Sequence, residues 1–478
     1  MLAWNMAEHF EILHKDLGSR IGKLITPHGA VETPALMPVV NPHLQIVPAR
    51  ELRGIGASML ITNSYIIHQD KELAERALQN GLHRLLDFDG PVMTDSGAFQ
   101  LSVYGEVEVH PEEILAFQVA IGSDICVPLD IPTPPDVSRE RAERELTTTM
   151  ERLAKALKMR RTCLLAGPIQ GSTYPDLREK AARRLREMDF DVYPVGGVVP
   201  LLEAYRFKDL VEVVTAAKLG LGPGVPVHLF GAGHPMVFAL AAAMGCDLFD
   251  SAAYALYARQ NRYLTPRGTW KLEDLHYLPC SCQVCQSSSS KELMESPART
   301  ALLARHNLYV SFQEIRLVKQ CIREGSLWDL LEARCRSHPR MLDALKRLGE
   351  EDKWLERLDP VSKSTFFYLG PESSCRPEVI RHSSRMHRLS LEGKVLITDD
   401  LRATEGFDRV LFFKPPFGPF PAELLETYPF NAEIPEEPDR AAIEKAMAAA
   451  ARLLQDNPQA EFTIKIRSLP TEQHDQIL

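Results

Sequence analysis

Between residues 55 and 255 the chain alternates short, nearly unbroken apolar runs with longer amphipathic segments, and this alternation restricts the fold more than any other feature. The apolar runs are 59–62, 92–94, 125–129, 163–166, 192–195, 227–230 and 247–249. Runs without a polar face suit strands buried on both sides, as in a parallel sheet covered by helices. Helix candidates at 111–121, 138–159, 175–188 and 235–244 lie between them, three opening with proline and one with serine, residues that suit a helix start. Such a repeat predicts either a (β/α)8 barrel or a doubly wound sheet. Polar or glycine residues follow nearly every run: Asn63, Asp95, Asp130, Gln170, Gly196 with Gly197, Gly231 and Asp250. A barrel gathers all of these at one mouth, whereas an open sheet concentrates function at one switch point. The Gly220-Leu-Gly-Pro-Gly224 segment has the wrong spacing for a phosphate-binding loop. A TIM barrel is the expected fold.

The second strong signal is Cys280-Ser-Cys282-Gln-Val-Cys285, followed about twenty residues later by His306. Three thiolates and one imidazole fill the tetrahedral shell of one Zn²⁺. A filled shell cannot activate water, so this ion would support structure and leave the chemistry elsewhere. The flanking Pro279 and the serines from Ser287 to Ser290 suit an exposed loop better than a core. The zinc segment, about 278–308, thus reads as an insertion following the barrel strands.

At 478 residues the chain has room for two to four domains. Beyond a helical stretch at about 301–358, proline-rich loops alternate with strand candidates 394–398, 410–413 and 462–466 and a helix at 441–454. The expected division is 1–358, a TIM-barrel catalytic domain carrying the zinc site, and 359–478, a smaller α+β accessory domain. No apolar run reaches the ~18 residues a membrane span needs. The N-terminus lacks the layout of a signal peptide, and the other cysteines are scattered. A reducing cytoplasm is expected. The net charge of −9 argues mildly against a nucleic-acid partner, yet ten Lys/Arg face five Asp/Glu between Arg299 and Arg347. That local excess suits a polyanion-binding face and a solvated helix face equally.

Two strand-end carboxylates stand out. Asp95 lies in Met93-Thr-Asp-Ser-Gly-Ala-Phe-Gln100 and Asp250 in Asp247-Leu-Phe-Asp-Ser-Ala-Ala-Tyr254. Paired carboxylates can divide labour, one attacking a sugar anomeric carbon and the other moving protons. Taken singly, each could instead cap a helix. Asp130 and Gln170 offer acceptor and amide groups that match a guanine-like heterocycle, and Gly196 lets backbone approach it. Phe99 or Tyr254 could stack on such a base, or simply pack in the core.

These residues resemble the tRNA-guanine transglycosylases, specifically their archaeal, archaeosine-forming branch. The resemblance runs through Asp95-Ser-Gly-Ala-Phe-Gln100, Leu129-Asp-Ile-Pro-Thr-Pro134, Pro168-Ile-Gln-Gly171, Gly196-Gly197, His228-Leu-Phe-Gly-Ala-Gly-His234, Phe249-Asp-Ser251 and the Cys280/Cys282/Cys285/His306 set, over about residues 8 to 350. It implies exchange of guanine at position 15 of the tRNA D-loop for 7-cyano-7-deazaguanine (preQ0). Asp250 would be the nucleophile and Asp95 the general acid and base. Ser96, Phe99, Asp130, Gln170 and Gly196 would form the base pocket. No nucleotide or redox cofactor is implied, since one glycosidic bond replaces another. A homodimer is also implied. Longer archaeal members end in an RNA-binding PUA domain with no clear counterpart here, which leaves two expectations: a short form paired with a separate PUA-domain protein, or a sequence cut from a longer chain. The competing readings are an archaeosine synthase-like paralogue, a non-catalytic zinc-stabilised tRNA-binding subunit, and a metal-dependent barrel hydrolase. The presence of both aspartates weighs against the first two, and the lack of an open metal site against the third.

Overall fold

Eight short strands account for the alternation and roll into a single parallel barrel. The computed structural model describes residues 9–98, 110–159, 161–402 and 404–467. The barrel strands are β1 (Ala35–Val40), β2 (Leu60–Asn63), β3 (Val92–Asp95), β4 (Ile125–Cys126), β5 (Leu164–Leu165), β6 (Tyr193–Val195), β7 (Val227–Leu229) and β8 (Leu248–Ser251). β1 to β5 pair in parallel in chain order, as do β6 to β8, and β8 pairs with β1 through Leu248 to Ser251 against Ala35 to Pro38. The remaining seam, β5 to β6, is bridged by parallel contacts Ala166 to Val192 and Ile169 to Val195. There the Ile169 amide donates to the Pro194 carbonyl at 2.7 Å. The sheet therefore has no open edge, and the (β/α)8 expectation holds. Strand β1 escapes the apolar-run pattern because Pro34 precedes it and Pro38 lies within it.

Ala35, Met37, Ile61, Met93, Ile125, Leu164, Val192 and Leu248 form the packed barrel interior. Alternation then sets the next inward residue on several strands: Asn63 after Ile61, Asp95 after Met93, and Asp250 after Leu248. The polar strand ends are in this way aimed into the mouth by the same period that buries the core. At the opposite end an antiparallel sheet of Phe10–Asp16, Ser19–Thr26 and Gly29–Thr33 sends Leu24 and Val31 into the same core.

A repeated device fixes the strand starts. Asp124, Asp191 and Asp247 directly precede β4 and lead into β6 and β8, and each accepts a backbone amide of the preceding strand: Val92 at 2.8 Å, Leu165 at 2.7 Å and Val227 at 2.7 Å. Two of them also fasten the N-terminal sheet. Asp247 pairs with buried Arg20, whose Nη2 lies 2.6 Å away. Asp124 accepts from His28 and from His83, each at 2.9 Å. Burial pushes the Asp124 carboxyl up in pKa, but hydrogen bonds from His83, the Val92 amide and His28 outweigh it and hold it below the usual range.

The chain divides into two compact units, residues 1–323 with 333–344 and residues 324–332 with 345–478. Residues 345–358 cluster with the second unit, where the helix Asp352–Leu358 packs on the helix Pro377–Arg385. The stretch from 301 is broken into the helices Arg299–Glu324, Leu327–Cys335, Pro339–Gly349 and Asp352–Leu358. The second unit contains a four-stranded sheet in which Gly393–Thr398 pairs in parallel with Arg409–Lys414 and Ala460–Lys465. An antiparallel edge strand, Gly418–Pro421, completes it. Helix Arg440–Asp456 buries Ala446, Ala450 and Leu453 in the same core as Val395, Ile397 and Phe413. Among the described residues no helix is long and apolar enough to cross a membrane.

Candidate active site

The strand ends of the barrel open into a cavity of about 1320 Å³, lined among others by Asn63, Asp95, Asp130, Gln170, Gly196 and Asp250. Its walls combine these few polar groups with apolar side chains such as Val39, Ile61, Val199 and Phe230. A few convergent polar groups in an apolar cleft are the usual form of a small-molecule site.

Asp95 and Asp250 enter the cavity from β3 and β8. Burial, then the charges of Asp130 and Asp250, push the Asp95 carboxyl up to about 7. The backbone amides of Gly97 and Ser96 oppose this rise. Asn63 Nδ2 lies 3.4 Å from Asp95 Oδ2. A carboxyl poised near neutrality can both give and take a proton.

Asp250 is held differently. Its Oδ1 accepts from His228 Nε2 at 2.8 Å and from the Gly231 amide at 2.8 Å. Its Oδ2 has no hydrogen-bond partner among the described residues. The helix Ala253–Arg259 has Ala252 as its N-cap, so Asp250 does not cap it. One oxygen is anchored and the other is left free to react.

The facing wall is built on β4, β5 and β6. Gln170 Nε2 donates to Asp130 Oδ2 at 2.6 Å, while Gln170 Oε1 is buried without a partner. Burial pushes the Asp130 carboxyl up to about 6, against the lowering effect of the Gln170 bond. A Cβ at Gly196 would fall 2.2 Å from Gln170 Nε2 and would displace the amide from its place against Asp130. Beneath them Arg178, wholly buried, donates to the carbonyls of Ile169 at 2.7 Å and Gly196 at 2.8 Å. The guanidinium thereby fixes the backbone that carries Gln170 and Gly196. Its position in the helix Pro175–Glu187, between Leu177 and Glu179, reads as an ordinary solvated helix arginine. No sequence signal marks it, nor does one single out His228 as the partner of Asp250.

The remaining site residues fall out as follows. Ser96 is buried, with its Oγ 3.5 Å from the Pro128 carbonyl, and lies off the cavity lining. Tyr254 lines the cavity and ties its hydroxyl to the Val39 carbonyl at 3.1 Å. Phe99 belongs to residues 99–109, outside the described residues.

Cys280, Cys282, Cys285 and His306 converge at a second place in the same unit, with their ligand atoms all within 4.8 Å of one another. His306 Nδ1 lies 3.5 Å from Cys282 Sγ and 3.4 Å from Cys285 Sγ. Its other nitrogen, Nε2, donates to the Leu264 carbonyl at 3.1 Å, which fixes the tautomer that presents Nδ1 to a metal. Tyr263 stacks on the imidazole with ring centroids 3.6 Å apart. Tetrahedral bonds of about 2.1–2.3 Å put donor atoms about 3.4–3.8 Å apart, so the four donors fit one metal ion.

Comparison with known proteins gives a consistent result. A family model described as queuine tRNA-ribosyltransferase matches residues 16–340. Curated proteins named tRNA-guanine(15) transglycosylase from Methanosarcina barkeri and Haloferax volcanii are 59% and 55% identical over 460 and 466 residues. Those alignments each cover 96% of this chain, and 94% and 90% of the relatives. A protein of the same name from Pyrococcus furiosus is 51% identical over 431 residues, which is 90% of this chain and 71% of that one.

Proposed function

The chain belongs to the queuine tRNA-ribosyltransferase family, and from that premise we propose that it exchanges guanine at position 15 of the tRNA D-loop for preQ0 through a covalent aspartyl-ribose intermediate. One observation carries the reading: a carboxylate with one oxygen anchored and one free shares a cavity with a carboxyl that burial and neighbouring charges push up to about 7. The base in folded tRNA is buried and must first be exposed. Asp250 Oδ2 then attacks C1′ as the bond to guanine N9 breaks, and Asp95 supplies the proton that the departing base takes up. In the second half the incoming base attacks C1′, the C1′–Oδ2 bond breaks, and Asp95 receives the proton released from the base. Asp130, Gln170 and Gly196 hold the base, the carboxylate facing its N–H edge and the second hydrogen of Gln170 Nε2 its carbonyl. Ser96, whose Oγ lies 3.5 Å from the Pro128 carbonyl, and Phe99, as a stacking partner, are the other expected base-pocket residues.

The two half-reactions set opposite demands on Asp95, and its electrostatics meet both. While Asp250 is ionised, its charge helps keep Asp95 protonated. Once Asp250 becomes a neutral ester that repulsion vanishes, and Asp95 releases its proton at the moment the leaving base requires it.

The test is incorporation of radiolabelled guanine into unmodified tRNA, with preQ0 competing for the same site. Incorporation insensitive to preQ0, or directed to a position other than 15, would refute the substrate assignment.

The same reading gives the Cys280/Cys282/Cys285/His306 set one Zn²⁺ per chain. Bound there, the ion would cross-link the cysteine loop to the helix Arg299–Glu324. We expect one zinc per chain by atomic absorption, and near-complete loss of it together with a lowered melting temperature in Cys282→Ser. Unchanged metal content in that variant would remove Cys282 from the ligand set. Self-association as a homodimer, a separate PUA-domain protein that presents the D-arm, and a cytoplasmic site of action complete the proposal. Sedimentation and the dependence of exchange on a second polypeptide report on the first two.

A further inference from the structure

Asp250 owes its arrangement to a histidine that no step above uses. His228 is fully buried on β7 and points inward from the barrel wall, next to Phe230 with ring centroids 4.5 Å apart. Its Nε2 meets Asp250 Oδ1 at 2.8 Å, and its Nδ1 is buried with no partner. A buried N–H without an acceptor costs more than an idle lone pair on the same nitrogen, so the proton belongs on Nε2. The imidazole thus donates to the carboxylate through Nε2, a role set by what Nδ1 lacks.

Both donors to Asp250 fall on one oxygen, the second being the Gly231 amide at 2.8 Å. In the aspartyl-ribose intermediate Oδ2 is the ester oxygen and Oδ1 the carbonyl oxygen. When the incoming base displaces the ribose, the electron pair of the C1′–Oδ2 bond returns to the carboxylate and half of its charge collects on Oδ1. Donors on Oδ1 bind that carboxylate more strongly than the neutral ester carbonyl. They therefore destabilise the covalent intermediate relative to the free enzyme and hasten its resolution.

We propose that His228 is the positioning residue that directs Asp250 Oδ2 at the ribose and, with the Gly231 amide, makes the aspartate a good leaving group for the second displacement. This rests on the proposed base-exchange reaction and deepens it. It also gives a reason for a buried imidazole where the barrel interior otherwise takes apolar side chains.

The test compares His228→Leu, which cannot donate, with His228→Gln, whose amide nitrogen can reach the place of Nε2. Two rates are read with unmodified tRNA and guanine: formation of the denaturation-resistant tRNA–protein adduct, and its resolution by added base. In His228→Leu we expect resolution to slow about 100-fold, the scale of losing one donor to a developing oxyanion. The adduct should accumulate above the wild-type level, with the KM for tRNA unchanged. His228→Gln should recover resolution to within about tenfold of wild type. Resolution at the wild-type rate in His228→Leu, or equal impairment of the two variants at matched melting temperature, would overturn the proposal. Should His228→Leu fail to fold, His228→Gln decides, since a loss of about 100-fold there contradicts rescue by a donor. Failure of the wild-type protein to form any adduct would instead count against base exchange itself.

Discussion

Guanine exchange is expected to fall by about 10⁴-fold or more in Asp250→Ala, with tRNA binding retained, because the reaction loses its nucleophile and not its binding surface. That factor corresponds to about 5.5 kcal/mol of transition-state stabilisation. Asp250→Asn is the sharper variant. Its carbonyl oxygen can still accept from His228 Nε2 and the Gly231 amide, so the local geometry survives while the charge is lost. It should be as inactive as Asp250→Ala, and neither should give a tRNA adduct on a denaturing gel. Full exchange by either protein would overturn the nucleophile assignment. Asp250→Asn also removes one of the two charges that raise Asp95, so the remaining carboxyl should titrate below its wild-type value.

The parts of this site that were legible in the sequence share one property, which is a fixed relation to a strand end. Once the apolar runs are read as inward-facing barrel strands, Asp95, Asp130, Gln170, Gly196 and Asp250 must all meet at one mouth, and they line one cavity. The cysteine cluster is legible for a similar reason, since its spacing alone nearly closes a ligand shell. The supporting residues are of another kind. Arg178 acts across a helix–strand contact on carbonyls nine and eighteen positions away, and His228 acts on Asp250 from the neighbouring strand. Neither relation leaves a local pattern, because partner choice depends on which strands become neighbours. The strand Ala35–Val40 was hidden by its prolines, whose missing N–H groups ordinarily argue against a buried strand. The triple use of Asp124, Asp191 and Asp247 beneath the strands likewise emerges only once the register is known.

Asp95→Asn should lower exchange by about 10³-fold, within the range that a positioned acid and base contributes. The stronger prediction concerns pH. On the proposed mechanism the acid form of Asp95 is needed for guanine to depart, so exchange should decline as pH rises through about 7. That limb belongs to the coupled group of Asp95, Asp130 and Asp250, and its midpoint is an apparent value of the set. Asp95→Asn should lose the limb altogether, leaving a low rate that is flat across neutrality. Stability gives an independent reading with a definite sign. A carboxyl at about 7 in the folded chain and near 3.8 when unfolded binds more protons in the folded state between those values. Wild-type stability therefore declines across that window as pH rises, and the penalty is complete above it. Asp95→Asn carries no such penalty, so its melting temperature should match wild type near pH 4 and exceed it progressively toward pH 8. A constant difference between the two proteins across that range would show that Asp95 ionises at an ordinary pKa, and proton transfer would then have to be assigned to another group in the cavity.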